Sequence, residues 1–362
     1  MIRSLTIKGY RGFELFNMQG LGRVNLLVGT NNCGKTSILE ALQLVNSEGR
    51  LSSMMDIMMR RGEMLDRDER TGDEEEYDVR HLFRGHTAEV GTRFVIDAVQ
   101  DSAALSWNCE VERARDGEEP GADPTSARLW LTGNASWDGG RRPFTEDLSA
   151  RGGIRAGVRR RMGAEWQGTE DAPGVMFVPT DSLTPHELGR FWGSVALAPA
   201  EEIVVKALQQ LEPSVERIAY VGERKLRSGD RGGFVVKCRD SIKPVPLGSM
   251  GDGIWRLLSL LLASVRAEKG MLLVDEIDTG LHYTAMVDMW KAISVMAEDL
   301  DVQVFATTHS WDCVESLASI CRADAKGESE VSIQRIEPEH GRSVSFTEEE
   351  IRTAAEHRIE VR

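Results

Sequence analysis

The first residues with an evident chemical use form a glycine-rich loop early in the chain. Residues 29–36 read G-T-N-N-C-G-K-T and fit the pattern G-x-x-x-x-G-K-[ST], between a strand-like run and a segment with helical spacing. In such a loop the backbone N–H groups turn inward around a phosphate chain, Lys35 reaches the β- and γ-phosphates, and Thr36 binds Mg²⁺. The predicted nucleotide contacts are Gly29, Asn31, Asn32, Cys33, Gly34, Lys35, Thr36 and Ser37.

Two adjacent carboxylates follow an apolar run in the second half of the chain. Residues 271–274 read M-L-L-V and predict a buried strand, with Asp275 and Glu276 at its carboxyl end. In phosphoryl transfer the first carboxylate would hold Mg²⁺ through water, and the second would orient and activate the attacking water. Open α/β sheets bind ligands at this edge. The other interpretation is that both residues only cap the next element.

A histidine follows the next predicted strand. Residues 302–306 predict that strand, and His309 comes three residues after it. A single histidine at such a place is more often structural. Its position one strand after an aspartate-glutamate pair favours a functional role, in which it contacts the γ-phosphate or the attacking water. The predicted catalytic residues are therefore Lys35, Glu276 and His309.

A second turn of small residues lies about twenty residues before the acid pair. Residues 247–253 read L-G-S-M-G-D-G and precede a long amphipathic helix, so they could bind an anion at the helix N-terminus. One chain does not need two cradles for a γ-phosphate. If the second cradle serves a neighbouring copy, each ATP is held between the loop of one subunit and the Ser249 turn of the other. An ordinary glycine-rich helix start is the alternative.

Strands and helices alternate in the second half of the chain. Strands are predicted at 175–178, 271–274 and 302–306, and helices at 201–211, 251–268, 284–297 and 311–319. Together with the strands predicted at 2–7 and 24–28 and the helix at 36–45, this alternation indicates an α/β fold. The strands would form a mostly parallel sheet flanked by helices.

Residues 47–173 have a different pattern, with many glycines and arginines and an acidic stretch at 66–78. Antiparallel strands are predicted at 93–98, 104–111 and 127–131. The methionines at positions 54, 55, 58 and 59 predict a helix packed on the core. We therefore expect a core made of residues 1–46 and 174–362, with residues 47–173 inserted as an antiparallel β lobe.

Bulk properties limit the class of protein. The chain has 362 residues and a net charge of −14, so the surface as a whole does not attract DNA. The five cysteines are scattered, without metal-ligand spacing, which predicts reduced thiols in a cytoplasmic protein. Apolar runs are shorter than the roughly 20 residues that a membrane span needs. We expect no contact with a membrane.

Taken together, these motifs resemble the ABC-type ATPases of the SMC and RecF group. The chain is most similar to the OLD-like (overcoming-lysogenization-defect) branch of AAA-family ATP-binding proteins. The matching segments cover residues 1–46 and about 174–362. They are residues 10–13 (Y-R-G-F), 29–36, 251–256 (G-D-G-I-W-R), 274–282 (V-D-E-I-D-T-G-L-H) and 303–310 (Q-V-F-A-T-T-H-S).

The resemblance implies an ABC-type ATPase head that works as a homodimer with ATP bound between the two subunits, or as a higher multiple of this dimer. It also implies roles for individual residues. It implies that Ser249 and Gly251 contact the ATP of the opposite subunit, and that Asp278 lies in a loop that couples the two sites. Tyr10 or Phe13 would lie near the adenine. The implied cofactors are ATP and Mg²⁺, with Thr36 and Asp275 as the protein's metal ligands.

The sequence also departs from known relatives. Its signature, L-G-S-M-G-D, differs from the L-S-G-G-Q of transporter subunits, and the lack of a membrane segment argues against a transporter. Full-length OLD nucleases carry a C-terminal TOPRIM domain. About fifty residues follow His309, which are too few for such a domain. The single D-x-D, residues 66–68, is a poor candidate for nuclease chemistry.

Three functions remain open. The first is an ATPase switch for a separately encoded effector, such as a TOPRIM-like nuclease, in a phage-defence module. The second is a stand-alone DNA repair or recombination ATPase, which would bind DNA through the basic segment from Arg141 to Arg161. The third is a non-catalytic module in which ATP is a structural ligand. Glu276 and His309 argue against the third, because a scaffold does not need a water-activating carboxylate.

Overall fold

The chain is described here from a computed structural model. The structure describes residues 1–65, 75–101, 103–113, 128–158, 174–222, 233–239, 241–321 and 330–361. The chain divides into two compact units. Unit 1 consists of Met1–Gln19, Thr36–Ala172 and Glu337–Ser343, and unit 2 consists of Gly20–Lys35, Pro173–Ile336 and Val344–Arg362. These units group residues 1–19 with 36–172, and the sequence-based division into core and insertion stays a prediction.

The secondary structure alternates between strands and helices along most of the chain. The strands are β1 Ile2–Lys8, β2 Leu15–Gln19, β3 Val24–Val28, β4 Met64–Leu65, β5 Glu76–Asp78, β6 Arg93–Gln100, β7 Ala103–Arg113, β8 Leu129–Trp137, β9 Gly140–Leu148, β10 Gly153–Arg155, β11 Val175–Val178, β12 Val215–Tyr220, β13 Phe234–Cys238, β14 Val245–Pro246, β15 Met271–Val274, β16 Gln303–Thr307, β17 Val331–Glu337 and β18 Arg342–Phe346. The helices are α1 Lys35–Val45, α2 Leu51–Arg60, α3 Pro185–Val195, α4 Pro199–Leu211, α5 Asp252–Arg266, α6 Tyr283–Asp299, α7 Trp311–Leu317 and α8 Glu348–His357.

Unit 2 is built on a parallel sheet with the strand order β11-β15-β16-β3-β17. Strands β3, β15 and β16 are buried along their whole length, as expected for parallel strands covered on both faces. These three strands are neighbours, and parallel strands have their carboxyl ends at the same edge of the sheet. The segments that follow them are therefore brought together. The predicted α/β fold with a mostly parallel, helix-flanked sheet is confirmed.

Helix α5 is the central helix of unit 2. Its residues 254–264 are all buried, which means that other elements cover it on every side. The helix begins after Gly251, whose φ of 97° lies in the left-handed region that favours glycine. A short 3-10 turn, Leu247–Met250, precedes that glycine. Unit 2 also holds a small antiparallel sheet of β12, β13 and β14.

Unit 1 contains an antiparallel sheet with the order β2-β1-β6-β7-β8-β9. Alternation is clear in β7, where Leu105, Trp107, Cys109 and Val111 are buried and the residues between them are not. A second small sheet joins β4, β5 and β10. The antiparallel strands expected in this part of the chain are present, and the strand expected from residue 127 is described from Leu129 onward.

The predicted methionine helix is present as α2, with one correction. Met54, Met55 and Met58 are fully buried, whereas Met59 is 46% exposed. Residues 54, 58 and 55 span about 100° of the helix circumference, and residue 59 falls about 40° beyond this arc, at the edge of the buried face. All five cysteines are free thiols. Among the described residues, no helix is both long and apolar enough to cross a membrane.

Candidate functional site

The loop that follows β3 has the backbone of a tight anion cradle. Gly29, Asn32 and Gly34 have φ values of 144°, 61° and 95°, so the chain repeatedly enters conformations that L-residues disfavour. A Cβ atom at Gly29 would lie 2.9 Å from Cys33 Sγ and 3.2 Å from the Ile336 carbonyl oxygen. The first position of the loop therefore needs glycine, because the loop closes tightly over it.

Lys35 points back into its own loop. Its ammonium group donates to the carbonyl oxygens of Gly29 at 2.9 Å and Thr30 at 3.0 Å. It also lies 3.5 Å from Nδ1 of His309, which follows β16. The lysine that begins α1 and the histidine after β16 therefore meet at the carboxyl edge of the parallel sheet.

The environment of Lys35 disfavours its charged form. Burial is the main cause and lowers the pKa of the ammonium group, while the carboxylates of Asp275 and Glu276 act in the opposite direction. The side chain is only 6% exposed. A cation in this position gains from an anionic ligand, because such a ligand replaces the lost hydration.

Thr307, the last residue of β16, connects the two carboxylate residues. Its hydroxyl group donates to Asp275 Oδ1 at 2.8 Å and accepts from the backbone N–H of Glu276 at 2.8 Å. The Ile277 N–H donates to the Thr307 carbonyl oxygen at 3.0 Å. Thr307 is 1% exposed, whereas Asp275 and Glu276 are half-buried, so this connection is partly shielded from water. One hydroxyl group thus fixes the Asp275 side chain and the Glu276 backbone together.

Thr308 fixes the side chain of Asp278 in the same way. Its hydroxyl group donates to Asp278 Oδ1 at 2.7 Å and accepts from the backbone N–H of Ser310 at 2.9 Å. Ser310 in turn caps α7, because its side chain accepts from the Cys313 N–H at 3.3 Å. The turn that carries His309 is therefore held on both sides.

Glu276 has a strained backbone. Its φ of 46° is in the left-handed region, which is uncommon for a residue other than glycine and is concentrated at functional sites. Its Oε2 accepts a hydrogen bond of 3.3 Å from the Thr279 hydroxyl group. The left-handed turn ends β15 and places the glutamate directly after Asp275, at the edge where the loop and the histidine lie.

A buried arginine binds the backbone of the acid pair, Asp275 and Glu276. Arg256, on α5, donates to the carbonyl oxygens of Pro179 at 2.6 Å, Asp275 at 2.8 Å and Glu276 at 2.9 Å. Burial lowers its pKa to about 10, which leaves it charged at neutral pH. The arginine is 1% exposed and binds backbone carbonyls, so it fixes the position of the strand end through the backbone.

The second small-residue turn lies at the start of the same helix. Ser249, Gly251 and Asp252 are exposed. Just behind them the packing is tight, since a Cβ atom at Gly253 would lie 3.2 Å from Leu281 Cδ2 and 3.4 Å from the Gly280 carbonyl oxygen. The turn thus presents small residues and backbone to solvent, while the helix behind it packs on the loop that follows Asp278.

The other residues that are predicted to contact the nucleotide differ in their exposure to solvent. Asn31 and Asn32 are exposed and Cys33 is buried. Thr36 and Ser37 follow Lys35 on the first turn of α1, and the Ser37 hydroxyl accepts from Arg61 Nη2 at 3.3 Å. The structure therefore describes all the predicted nucleotide-contact residues of this loop.

The two predicted metal ligands have the chemistry that Mg²⁺ prefers. The Asp275 carboxylate and the Thr36 hydroxyl group are hard oxygen ligands, the kind that Mg²⁺ prefers. Within the described part of the chain, no group of three or more His, Cys, Asp or Glu residues could hold a metal ion. Mg²⁺ in nucleotide sites needs few protein ligands, because substrate phosphates and water complete its coordination.

Some predicted residues have other roles, and some important ones were missed. Tyr10 and Phe13, expected near an adenine, are buried within unit 1, so neither offers an open ring face to a base. The D-x-D at 66–68 lies outside the described residues. The sequence-based prediction missed the roles of Thr307 and Arg256. A hydroxyl residue at a buried strand end and an arginine within a buried helix face were the available signals.

Comparisons with known proteins show the family of the chain. A family model described as an AAA ATPase domain matches residues 1–89 and 199–314, more than half of the chain. An ATP/GTP phosphatase from Helicobacter pylori is 22% identical over 349 residues, covering 89% of each chain. An uncharacterised protein from Methanocaldococcus jannaschii is 46% identical over 44 residues, which are 12% of this chain and 20% of that protein.

Solved structures of SMC heads are also similar in outline. The SMC head domain from Thermotoga maritima has a TM-score of 0.46 and 13% identity, covering 96% of this chain and 98% of that one. An SMC head bound to the C-winged helix domain of ScpA has a TM-score of 0.48 and 13% identity, with the same coverage. On the family match over more than half of its length, the chain belongs to the AAA ATPase domain family.

Proposed function

We propose that the chain binds ATP with Mg²⁺ and hydrolyses it to ADP and phosphate. The observation that carries this proposal is the meeting of Lys35, His309 and the Thr307-bound Asp275 at the ends of three neighbouring parallel strands. Membership of an ATPase family supports it. Similarity to the ATP/GTP phosphatase from Helicobacter pylori supports a nucleoside triphosphate as the substrate.

Each residue has a role in this proposal. A triphosphate in the loop would replace the Gly29 and Thr30 carbonyls around the Lys35 ammonium group with charged oxygens, which would raise the lysine pKa again. Asp275 and Thr36 would hold Mg²⁺, which neutralises charge on the β- and γ-phosphates.

Glu276 would take a proton from the attacking water, and His309 would contact that water or the γ-phosphate. Removing the general base typically costs about 10²-fold or more in rate and leaves ground-state binding intact. We therefore expect Glu276→Gln to retain ATP and to lose turnover. If Glu276→Gln hydrolysed ATP at the wild-type rate, the assignment of the base would be wrong.

We further propose that two copies share each ATP. The exposed turn at Ser249 and Gly251 supports this, because small residues at the start of α5 leave N–H groups accessible to the phosphate of a partner's nucleotide. Asp278 would couple the two sites, since its loop packs against the beginning of the same helix. Higher multiples of this homodimer are compatible with the same contact.

A complementation experiment tests the shared site. Lys35→Ala removes the loop's cation and Ser249→Arg blocks the exposed turn, so each variant alone should be inactive. In a heterodimer of the two, one site carries both defects and the other is intact. An equal mixture should therefore recover roughly a quarter of the wild-type turnover if the sites act independently. No recovery in a mixture that contains heterodimers would contradict sharing.

The biological role that we propose is a nucleotide-driven switch for a separately encoded effector in a phage-defence module. This rests on the resemblance to OLD-like proteins. For this chain, the nuclease would be a separately encoded TOPRIM-like protein. ATP would close the dimer and hydrolysis would open it. The test is to purify tagged Glu276→Gln protein from its own host in Mg²⁺-ATP. Recovery of the closed dimer without a second polypeptide would contradict the switch.

The alternative is a stand-alone DNA repair or recombination ATPase. One observation favours it: β9 pairs with β8 on one side and carries the exposed residues Arg141 and Arg142. Arg142 also stacks over the Trp137 ring at 5.8 Å. Residues 159–161, at the end of the basic segment, lie outside the described residues. DNA affinity that falls with salt in the wild type, and is lost in Arg141→Ala/Arg142→Ala, would support this alternative.

A further inference from the structure

A pair of histidines in unit 1 lies beside a carboxylate that no step above uses. Asp78, the last residue of β5, caps the 3-10 turn Val79–Leu82, and His81 lies on that turn. The Nδ1 atoms of His81 and His86 are 3.1 Å apart. On the other side of its ring, His81 places Nε2 3.3 Å from Asp78 Oδ2.

The distance between the two Nδ1 atoms suits a shared cation. Two nitrogen ligands at about 2.0–2.1 Å from a tetrahedral ion stand roughly 3.3 Å apart. Without an ion, one imidazole must donate its proton to the other, which fixes both tautomers. The two nitrogens already face each other, so a metal ion would need only a small outward movement of the rings.

Asp78 lies beside His81 as a carboxylate lies beside a metal-ligating histidine in many metal sites. A ligating histidine commonly donates its second ring N–H to a carboxylate, which fixes the tautomer and raises the basicity of the ligand. Asp78 is itself held by Arg80, which donates from Nε at 2.9 Å, from Nη2 at 2.7 Å and from its backbone N–H at 3.1 Å. The carboxylate is therefore fixed in position beside His81.

The backbone also favours the meeting of the two rings. Gly85 and His86 have φ values of 82° and 54°, two successive left-handed residues that bend the chain back toward the turn. The His81 carbonyl accepts from Arg11 Nη1 at 3.2 Å, and the Arg11 N–H donates to the Leu82 carbonyl at 2.9 Å. The turn is thus anchored, while His86 is exposed and leaves room for further ligands.

We propose that His81 and His86 form a two-imidazole half-site for a divalent transition metal ion, with Zn²⁺ as the best fit. Imidazole nitrogens suit Zn²⁺, Cu²⁺ and Ni²⁺, and they do not suit Mg²⁺. No third protein ligand is present among the described residues, so water or an external donor group completes the coordination. This site is independent of the proposed ATP chemistry.

Zinc titration of the full-length, untagged protein tests the proposal, with calorimetry and the Co²⁺ absorption spectrum as readouts. The wild type should bind one ion more than His86→Asn, and its Co²⁺ complex should show bands that the variant lacks. His357→Asn is the matched control, because His357 is an exposed histidine that contacts only the Thr353 carbonyl among the described hydrogen bonds. It should bind like the wild type.

A second variant separates the metal site from a simple hydrogen-bonded pair. Asp78→Asn keeps both imidazoles and removes the outer carboxylate, so zinc affinity should fall about 10- to 100-fold. Circular dichroism should first establish that the variant is folded. Equal zinc binding by the wild type and His86→Asn, or no binding by the wild type at micromolar to millimolar zinc, would overturn the proposal.

Discussion

Replacing Thr307 with valine is the most informative single perturbation of the site. Valine has nearly the same shape, so the change removes the hydroxyl group and leaves the packing of β16 intact. That hydroxyl group makes two contacts, the 2.8 Å bonds to Asp275 Oδ1 and from the Glu276 N–H. Both acidic residues therefore lose a fixed position at once.

The size of the effect follows from these two bonds. Hydrogen bonds to charged groups contribute about 1.5–3 kcal/mol, and leaving a buried donor unpaired costs about 1–3 kcal/mol. Asp275 and Glu276 are half-buried and can recruit some water, so the sum should stay near the lower end. We expect the free energy of unfolding to fall by about 2–4 kcal/mol. Turnover should fall about 10- to 100-fold, equivalent to about 1.4–2.7 kcal/mol.

Steady-state ATP hydrolysis and chemical denaturation measure the two quantities. Thr307→Ser is the control, because it keeps the hydroxyl group and loses only a methyl group. It should retain most of the turnover. The kcat of Thr307→Val should fall much more than its KM rises, since Lys35 and the loop still bind the nucleotide. Equal turnover in the valine and serine variants would refute the role of the hydroxyl group.

Three further predictions follow from individual contacts. Arg256→Met should lower the free energy of unfolding by about 3–5 kcal/mol, because three partly buried carbonyls lose their donor. Arg266→Met, at the exposed C-terminal end of the same helix, should cost under about 1 kcal/mol in denaturant titrations. Arg80 holds the pKa of Asp78 below its usual value despite the opposing effect of burial. The stability from this pair should be present above about pH 3.9 and lost as the pH falls through the folded-state pKa, so the difference between wild type and Asp78→Asn in thermal melts should vanish in acid. Lys35→Ala should lose nucleotide binding in equilibrium titrations, and unchanged affinity would contradict the cradle.

Much of the parallel sheet could be predicted from the sequence. The runs at β3, β15 and β16 are short, apolar and followed by polar residues, which is typical of buried parallel strands. Motif spacing then indicated which strand ends carry chemical groups. Neighbouring positions in the sheet followed only from the structure, since the strand order β15-β16-β3 is not the order in the chain.

Other features could not be predicted, for physical reasons. The strand β9 has an exposed, polar pattern without clear alternation, so the sequence predicts no strand at residues 140–148. The Thr307 and Arg256 contacts join residues far apart in the chain, and pattern analysis does not give such pairs. The left-handed turn at Glu276 is likewise imposed by tertiary packing, because glutamate itself does not favour a positive φ.

The mass of Glu276→Gln protein in Mg²⁺-ATP tests the central claim most directly. That claim is that two chains share each nucleotide, with Lys35 on one chain and Ser249 on the other. Light scattering should give twice the mass of one chain, or a multiple of it, and Lys35→Ala under the same conditions should not show this ATP-dependent association. A Glu276→Gln monomer with ATP bound would contradict the shared site.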